Sequence, residues 1–294
     1  MPARTARRYT AWMTKRRAWL GSLLAGFAGV AALVAFAPDA EACGAAYPGG
    51  PVMCDYPRRN ADGTRTDKPA GDEGAALGPP IAHLSASYGY TSTTILFGSG
   101  RRADLTRHAV FGQLQLPLTR SGAVTGLVGA GGIAGGELIH GAARDTIGPG
   151  FSGAIGVAGR VYDGKGLLPF LQLTATLSVT HMGTRTDDLG TRTDGTRSPT
   201  GASSPKFTAG DLRVGFIAGK TFGDVFTPYV TARAFGGPIA WHFDGDAVTG
   251  TDLYKYQAGG GLSLALFQRR LDVFAEGIAV GERGVAAGVG TTFF

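Results

Sequence analysis

Hydrophobic and polar residues alternate with a period of two along most of the chain after residue 80. The clearest run places small hydroxyl and amide side chains between the apolar ones, in the order Leu171, Gln172, Leu173, Thr174, Ala175, Thr176, Leu177, Ser178, Val179 and Thr180. The same alternation returns at 110–118 and at 254–266. Strict alternation of this kind predicts β-strands with one apolar and one polar face.

Connections of alternating length separate about ten such runs. Short ones fall near 120–122, 163–166, 222–224 and 268–270, and longer ones near 98–105, 140–150, 183–206 and 243–251, with a short last one at 281–283. This alternation is typical of transmembrane β-barrels, whose turns are short on one side and long on the other. We therefore expect residues 81–294 to form an all-β, closed antiparallel transmembrane β-barrel of about ten strands, within roughly eight to twelve.

The last alternating run ends on Phe294. An aromatic residue that closes the last strand resembles bacterial outer-membrane β-barrel proteins, in which the terminal Phe is part of the assembly signal. The resemblance implies a place in the outer membrane of a Gram-negative cell. It also implies contact with outer-membrane lipid, with lipopolysaccharide and with the outer-membrane assembly machinery.

The amino-terminal segment has the pattern of an export signal. Six basic residues precede or begin an apolar run at about 18–37, and Ala40-Glu41-Ala42 follows as a cleavage motif. We expect residues 1–42 to be a cleaved signal peptide, with an uncleaved anchor as the alternative. Residues 43–80 are polar and rich in Pro, Gly and Asp, which predicts a flexible periplasmic lead-in.

Cys43 and Cys54 are the two cysteines of the chain and lie within this lead-in. In an exported protein, two cysteines this close favour a disulfide-closed loop. Lipidation of Cys43 is the alternative, because this residue directly follows the cleavage motif.

The formal charge of +6 does not indicate a nucleic-acid partner. Residues 1–42 hold six Lys/Arg and two acids, which is +4 of the total and leaves +2 for the remaining residues. We expect no nucleic-acid partner and no cofactor or metal, since the sequence has neither a phosphate-binding glycine loop nor a Cys/His ligand cluster.

Several charged residues share the polar face of the alternating runs. In a barrel of about ten strands the lumen is narrow and largely filled by side chains, so buried charges there must be paired. We expect a charge network across the lumen from Glu137, Arg160, Asp211, Arg213, Arg233, Lys255, Asp272 and Glu276. The alternative is a narrow polar path for small solutes.

Histidines close to aspartates raise the possibility of an enzyme. His181 precedes Asp187, and His242 precedes Asp244, each near the expected extracellular rim. A His–Asp pair with an activated water resembles the arrangement in the omptin surface proteases, so a rim-sited surface hydrolase, omptin-like or lipid-modifying, is one alternative function. We expect a non-catalytic envelope or surface role, with possible passage or binding of small solutes.

A second alternative is surface adhesion. The long connection 183–206 repeats a Gly-Thr-Arg-Thr-Asp motif at 183–187 and 190–194, and a partner could bind there. Such a repeat is more typical of a solvated surface loop.

Overall fold

The computed structural model describes residues 82–98, 100–119, 124–141, 143–162, 164, 167–186, 205–223, 225–243, 246–267 and 270–293. The signal peptide, the lead-in with Cys43 and Cys54, and Phe294 lie outside these residues. Every described element is a β-strand: β1 (Ala82–Phe97), β2 (Arg102–Pro117), β3 (Val124–His140), β4 (Ala143–Tyr162), β5 (Phe170–Thr186), β6 (Lys206–Gly219), β7 (Phe226–Gly236), β8 (Ile239–Phe243), β9 (Asp246–Asp252), β10 (Tyr256–Leu266), β11 (Leu271–Gly281) and β12 (Arg283–Phe293).

Ten of these strands close into a barrel. β1 to β7 pair in chain order, β7 pairs with β10, and β10 to β12 continue the sheet. Closure comes from β12 and β1, which pair antiparallel from Ala82↔Phe293 to Ser92↔Arg283. The prediction of a closed antiparallel barrel of about ten strands is confirmed.

The remaining two strands form a hairpin where the sequence predicts a loop at 243–251. β8 pairs with the start of β6, from Lys206↔His242 to Ala209↔Ile239. β9 pairs with the end of β1, from Ile95↔Asp252 to Phe97↔Gly250. At this level the wall therefore consists of eight strands, β1 to β6 with β8 and β9.

The barrel narrows because β11 and β12 are short. β7, β10, β11 and β12 have 11 residues each, close to the 9–11 that a tilted strand needs to cross a bilayer. β1 to β6 have 14 to 20 residues and continue beyond that span. We call the barrel end that holds Ala82 and Phe293 the terminal end, and the other the distal end.

The chain passes from β7 into β8 through a sharp bend. A Cβ atom at Gly237 would lie 1.7 Å from the carbonyl oxygen of Gly210, so this close backbone approach requires glycine. Gly210 N–H donates to the Pro238 carbonyl at 3.0 Å, which keeps the bent segment attached to β6. The hairpin β8–β9 thus leans over the tip of β11–β12 and reaches β1.

The two faces of the wall differ between the two ends. In the ten-stranded part the outer face is apolar and exposed, for example Val110, Ile155 and Val230 at 52–58% exposure. The inner face there is polar. Within the described ranges, no helix is long and apolar enough to cross a bilayer.

Candidate functional site

The lumen of the ten-stranded part is lined by polar side chains that alternate with the apolar outer ones. Neutral hydroxyl and amide groups cover most of β1 to β5 on this face. Buried members are Ser85, Gln113, Gln115, Thr125, Ser152, Gln172, Thr174, Thr176, Ser178 and Thr180. The charged side chains come mainly from β6, β7 and β11, so they lie on the opposite wall.

Arg213 is the centre of the largest buried charge network. Its Nη1 donates to Glu282 Oε2 at 2.6 Å and to Gln257 Oε1 at 2.7 Å, and its Nε donates to Asp211. The guanidinium also lies over the Phe235 ring, 4.5 Å from its centroid. Arg213 therefore joins β6, β7, β10 and the β11–β12 turn.

Arg107 extends this network to β1 and β2. Its Nε donates to Thr91 Oγ1 at 3.1 Å, and its Nη2 lies 3.7 Å from Glu282 Oε1. Glu282 is 2% exposed although it belongs to a turn, because its side chain points into the lumen between the two arginines.

Asp252 sits above this network, at the end of β9 and beyond the membrane-crossing part of the wall. Thr93 Oγ1 donates to its Oδ1 at 3.2 Å. Burial raises the pKa of Asp252 to about 6. The carboxylates of Asp211 and Glu282 also raise this pKa, whereas the guanidinium groups of Arg213 and Arg107 lower it.

A second buried pair joins β7 to β11. Arg233 binds Glu276 through two parallel bonds of 3.0 and 3.1 Å, the bidentate geometry that makes such pairs strong. Tyr229 packs beside the pair, with its hydroxyl 3.5 Å from the Ala275 carbonyl oxygen. Closer to the terminal end, the Arg160 guanidinium lies 4.1 Å above the Phe170 ring.

The terminal end of the lumen holds a smaller cluster. His83 Nδ1 lies 3.0 Å from Thr292 Oγ1, and His83 Nε2 lies 3.5 Å from Asp272 Oδ1. All three side chains are buried. The pairing connects β11, β12 and β1, which are the strands at the closing seam.

The distal eight-stranded part has the opposite character, because its interior is an apolar core. Twelve side chains, each at most 5% exposed, form one cluster: Ile95, Phe97, Ala103, Leu105, Ala109, Ile133, Leu138, Ile147, Met182, Phe207, Ile239 and Trp241. Val248 of β9 packs against it, so every one of the eight strands contributes. We call this cluster the distal plug.

A His–Asp pair lies at the edge of the distal plug. His140 Nε2 is 3.1 Å from Asp145 Oδ2, and the Asp145 carboxylate is fully buried whereas 28% of the His140 side chain is exposed. The His140 ring meets Trp241 edge-on at 5.1 Å. Trp241 in turn donates from Nε1 to Thr184 Oγ1 at 3.2 Å.

The two histidines that the sequence suggested as catalytic residues, His181 and His242, are not part of this pair. His181 is exposed on the outside of β5, where its Nδ1 is 2.9 Å from Thr208 Oγ1. His242 is exposed on β8. Asp187 and Asp244, their expected partners, lie outside the described residues. The sequence did not single out His140 with Asp145, although the two residues flank one tight hairpin.

Six of the eight charged residues expected in the lumen point inward: Arg160, Asp211, Arg213, Arg233, Asp272 and Glu276. Two others do not. Glu137 is half-exposed and pairs with Arg144 at 3.3 Å, because a register shift in β3 leaves Ala134 unpaired and exchanges the faces beyond it. Lys255 is exposed, in the segment that joins β9 to β10.

Sequence reasoning missed Arg107, Asp252 and Glu282. Arg107 had a usable signal, since it shares the inner face of β2 with Phe111 at a spacing of four residues. Glu282 had none, because it lies in a turn. No group of three or more His, Cys, Asp or Glu residues suited to a metal occurs among the described residues.

Neither a family model nor a curated protein matches this sequence. Several solved structures are similar to it. The outer membrane protease OmpT from Escherichia coli has a TM-score of 0.44 at 11% identity, over 75% of this chain and 99% of the other. The transport unit of the autotransporter AIDA-I from Escherichia coli has 0.42 at 13%, over 73% and 90%.

The translocator domain of the autotransporter NalP from Neisseria meningitidis has a TM-score of 0.41 at 12% identity, over 74% of this chain and 90% of the other. The fold of this chain is evident from its own geometry. A closed antiparallel wall, an apolar outer band and a polar lumen are the architecture of an outer-membrane β-barrel.

Proposed function

We propose that the protein is a sealed barrel of the Gram-negative outer membrane, which conducts no solute at rest and acts through its extracellular surface. The distal plug carries this proposal. Twelve apolar side chains from seven of the eight strands meet there at no more than 5% exposure, and Val248 of β9 packs against them. Together they close the polar lumen from one side. A solute path through the barrel would have to cross this core.

The proposed orientation puts the terminal end in the periplasm. The longest connection between the strands, from Thr186 to Lys206, lies at the opposite, distal end, and long loops of such barrels are extracellular. The distal part then projects outward, with loop 183–206 attached to it. Its proposed partners are outer-membrane lipid, lipopolysaccharide and, during insertion, the assembly machinery, after export by a cleaved signal peptide.

Conductance tests the sealed state. The refolded protein is added to planar bilayers, and its insertion is verified separately in vesicles by heat-modifiable gel migration. We expect the current to stay at baseline. The double variant Phe207→Ala/Trp241→Ala removes two aromatic rings from the distal plug and should conduct more than the parent protein if it folds. Stable current steps from the parent protein would contradict the proposal.

The geometry of His140 and Asp145 favours a surface hydrolase as a second candidate. A buried carboxylate that orients a part-exposed imidazole is the arrangement of a general base. Peptidase and lipid-hydrolysis assays on the parent protein, on His140→Gln and on the matched control His181→Gln test it. Activity that is lost only in His140→Gln would favour this candidate, and an inactive parent protein would remove it.

A further inference from the structure

The β8–β9 hairpin is attached to the rest of the wall by short ladders. It pairs with β6 over four residues and with β1 over three, fewer than the five that join β8 to β9. The connections 237–238 before it and 253–255 after it belong to no strand. Segments with few backbone hydrogen bonds to their surroundings open locally at a lower free energy than the rest of a fold. The hairpin is therefore the part of the distal wall that can move as a unit.

The hairpin supplies part of the distal plug. Ile239 and Trp241 are 4% and 5% exposed, and Val248 packs against the same cluster. Trp241 also meets the His140 ring edge-on at 5.1 Å and donates to Thr184 Oγ1 at 3.2 Å. Outward movement of the hairpin would withdraw these three side chains from the core that closes the lumen.

Asp252, the last residue of the hairpin, turns its carboxylate into the lumen. There its Oδ1 accepts a bond of 3.2 Å from Thr93, the neutral residue that β1 presents to it. The charged groups around it are Asp211 and Arg213 of β6, Arg107 of β2 and Glu282 of the β11–β12 turn. Both arginines already pair with the other two carboxylates. An ionised Asp252 is thus a third carboxylate for two guanidinium groups.

Loss of the Asp252 proton therefore favours a displaced hairpin. Burial raises the pKa of Asp252 to about 6 in the closed wall, whereas a carboxyl group returned to water has its usual value of 3.8. The advantage of the closed state is complete below pH 4 and is lost as pH rises through 6. Between pH 4 and pH 8, the ratio of displaced to closed hairpin rises about fiftyfold.

We propose that the β8–β9 hairpin is a gate of the barrel, which opens briefly when Asp252 loses its proton and which acid holds shut. The open gate leads into a lumen lined by buried hydroxyl and amide groups, so it passes small polar solutes. The assignment rests on the proposed sealed barrel, because the gate acts on the distal plug that closes it.

Single-channel recording at two pH values tests the gate. The refolded protein is inserted into planar bilayers, with insertion verified in vesicles, and the fraction of time spent in brief openings is measured. We expect this fraction to be about fiftyfold larger at pH 8 than at pH 4. Asp252→Asn, which cannot ionise, should give the same fraction at both pH values. A pH response that survives in Asp252→Asn would belong to another group, such as His140 beside Trp241, and would overturn the assignment.

A disulfide between β1 and β9 separates the gate from any other route. Leu96→Cys/Thr251→Cys joins direct cross-strand partners, in a background of Cys43→Ser and Cys54→Ser. The oxidised variant should stay at baseline at both pH values, and its openings at pH 8 should return on reduction. Openings that persist in the oxidised form overturn the gate.

The outcomes for the parent protein distinguish the gate from the proposed function. Current that stays at baseline at both pH values overturns the gate and leaves the sealed barrel in place. Stable current steps at pH 4, where the gate is shut, overturn the sealed barrel itself.

Discussion

At the scale of single residues, Arg213 shows how the lumen tolerates charge. A guanidinium inside a barrel must find acceptors, and Arg213 finds Asp211, Gln257 and Glu282 on three different segments. Arg107 supplies the second positive charge near Glu282. The two arginines thus lie among the carboxylates of Asp211, Glu282 and Asp252, and this pairing of opposite charges lets charged side chains occupy a largely enclosed space.

We expect Arg213→Ala to destabilise the barrel by about 3–5 kcal/mol, because Asp211 and Glu282 would remain buried with one fewer positive partner. Urea unfolding in detergent, followed by heat-modifiable gel migration, measures the change. The matched control is Arg144→Ala, which removes an exposed pair with Glu137 and should cost less than about 1 kcal/mol. Equal losses in both variants would contradict the network.

The raised pKa of Asp252 predicts a stability that falls with rising pH. Its pKa is about 6 in the fold and 3.8 in an unfolded chain, so the fold prefers the protonated acid. The contribution is complete below pH 4 and disappears as pH rises through 6. Compared with Asp252→Asn, the parent protein should lose about 2 kcal/mol of unfolding free energy between pH 4 and 7.5. Parallel pH curves for the two proteins would contradict the assignment.

Part of this network could be predicted from the alternation of inward-facing and outward-facing positions along each strand. Arg213 and Arg233 fall on the polar face of clear alternating runs, and the structure has them inward. Glu137 lies beyond a bulge that a count of alternate positions does not detect. The partners of each charge could not be predicted, because Arg213 and Glu282 are 69 residues apart and meet only when the barrel closes.

At the scale of elements, the β8–β9 hairpin completes the wall at the distal end of the barrel. Its pairing with β1 covers three residues, and Leu253 N–H adds a bond of 2.8 Å to the Thr94 carbonyl oxygen. Its pairing with β6 covers four residues. These short ladders bring Ile239 and Trp241 into the distal plug.

A cysteine pair tests this pairing. Leu96 and Thr251 are direct cross-strand partners on the outer face of β1 and β9, so Leu96→Cys/Thr251→Cys should form a disulfide under mild oxidation. Leu96→Cys/Thr249→Cys, displaced by two residues on the same face, should cross-link much less. Cys43→Ser and Cys54→Ser are included in both variants, and non-reducing gels after proteolysis in the 100–240 range report the bond. Equal cross-linking of the two pairs would contradict the register.

Sequence patterns could not predict this hairpin or the length of β1 to β6. In the membrane-crossing part, apolar residues mark the outer face. Beyond it the rule reverses, since Ile95 and Leu105 are buried inside whereas Arg102 and Asp104 are exposed. Apolar and polar residues still alternate beyond the point where the apolar face turns inward. A search for strands with an apolar outer face stops at that point, however, and so assigns the rest of each strand to a loop.

At the scale of the whole molecule, the two ends of the barrel place their apolar and polar residues on opposite faces of the wall. The ten-stranded part has the polar interior and apolar exterior of a membrane barrel. The eight-stranded part has the apolar interior and polar exterior of a water-soluble one. One continuous wall changes from the first pattern to the second at about the level of Tyr88 and Tyr256.

This change of pattern predicts the orientation in the cell. In a variant without Cys43 and Cys54, a single cysteine replacing the exposed Gly100 of the β1–β2 turn should react with a membrane-impermeant maleimide on intact cells. A cysteine replacing Gly223, in the β6–β7 turn, should react only after the outer membrane is permeabilised. The reverse labelling would place the eight-stranded part in the periplasm.

Because the wall narrows from ten strands to eight, the side chains that close the distal end belong to the wall of the barrel itself. Each residue that closes the distal end belongs to a strand whose backbone is hydrogen-bonded into the barrel. In the proposed orientation, loops above it can therefore lengthen, shorten or change sequence while the apolar core that closes the lumen stays the same.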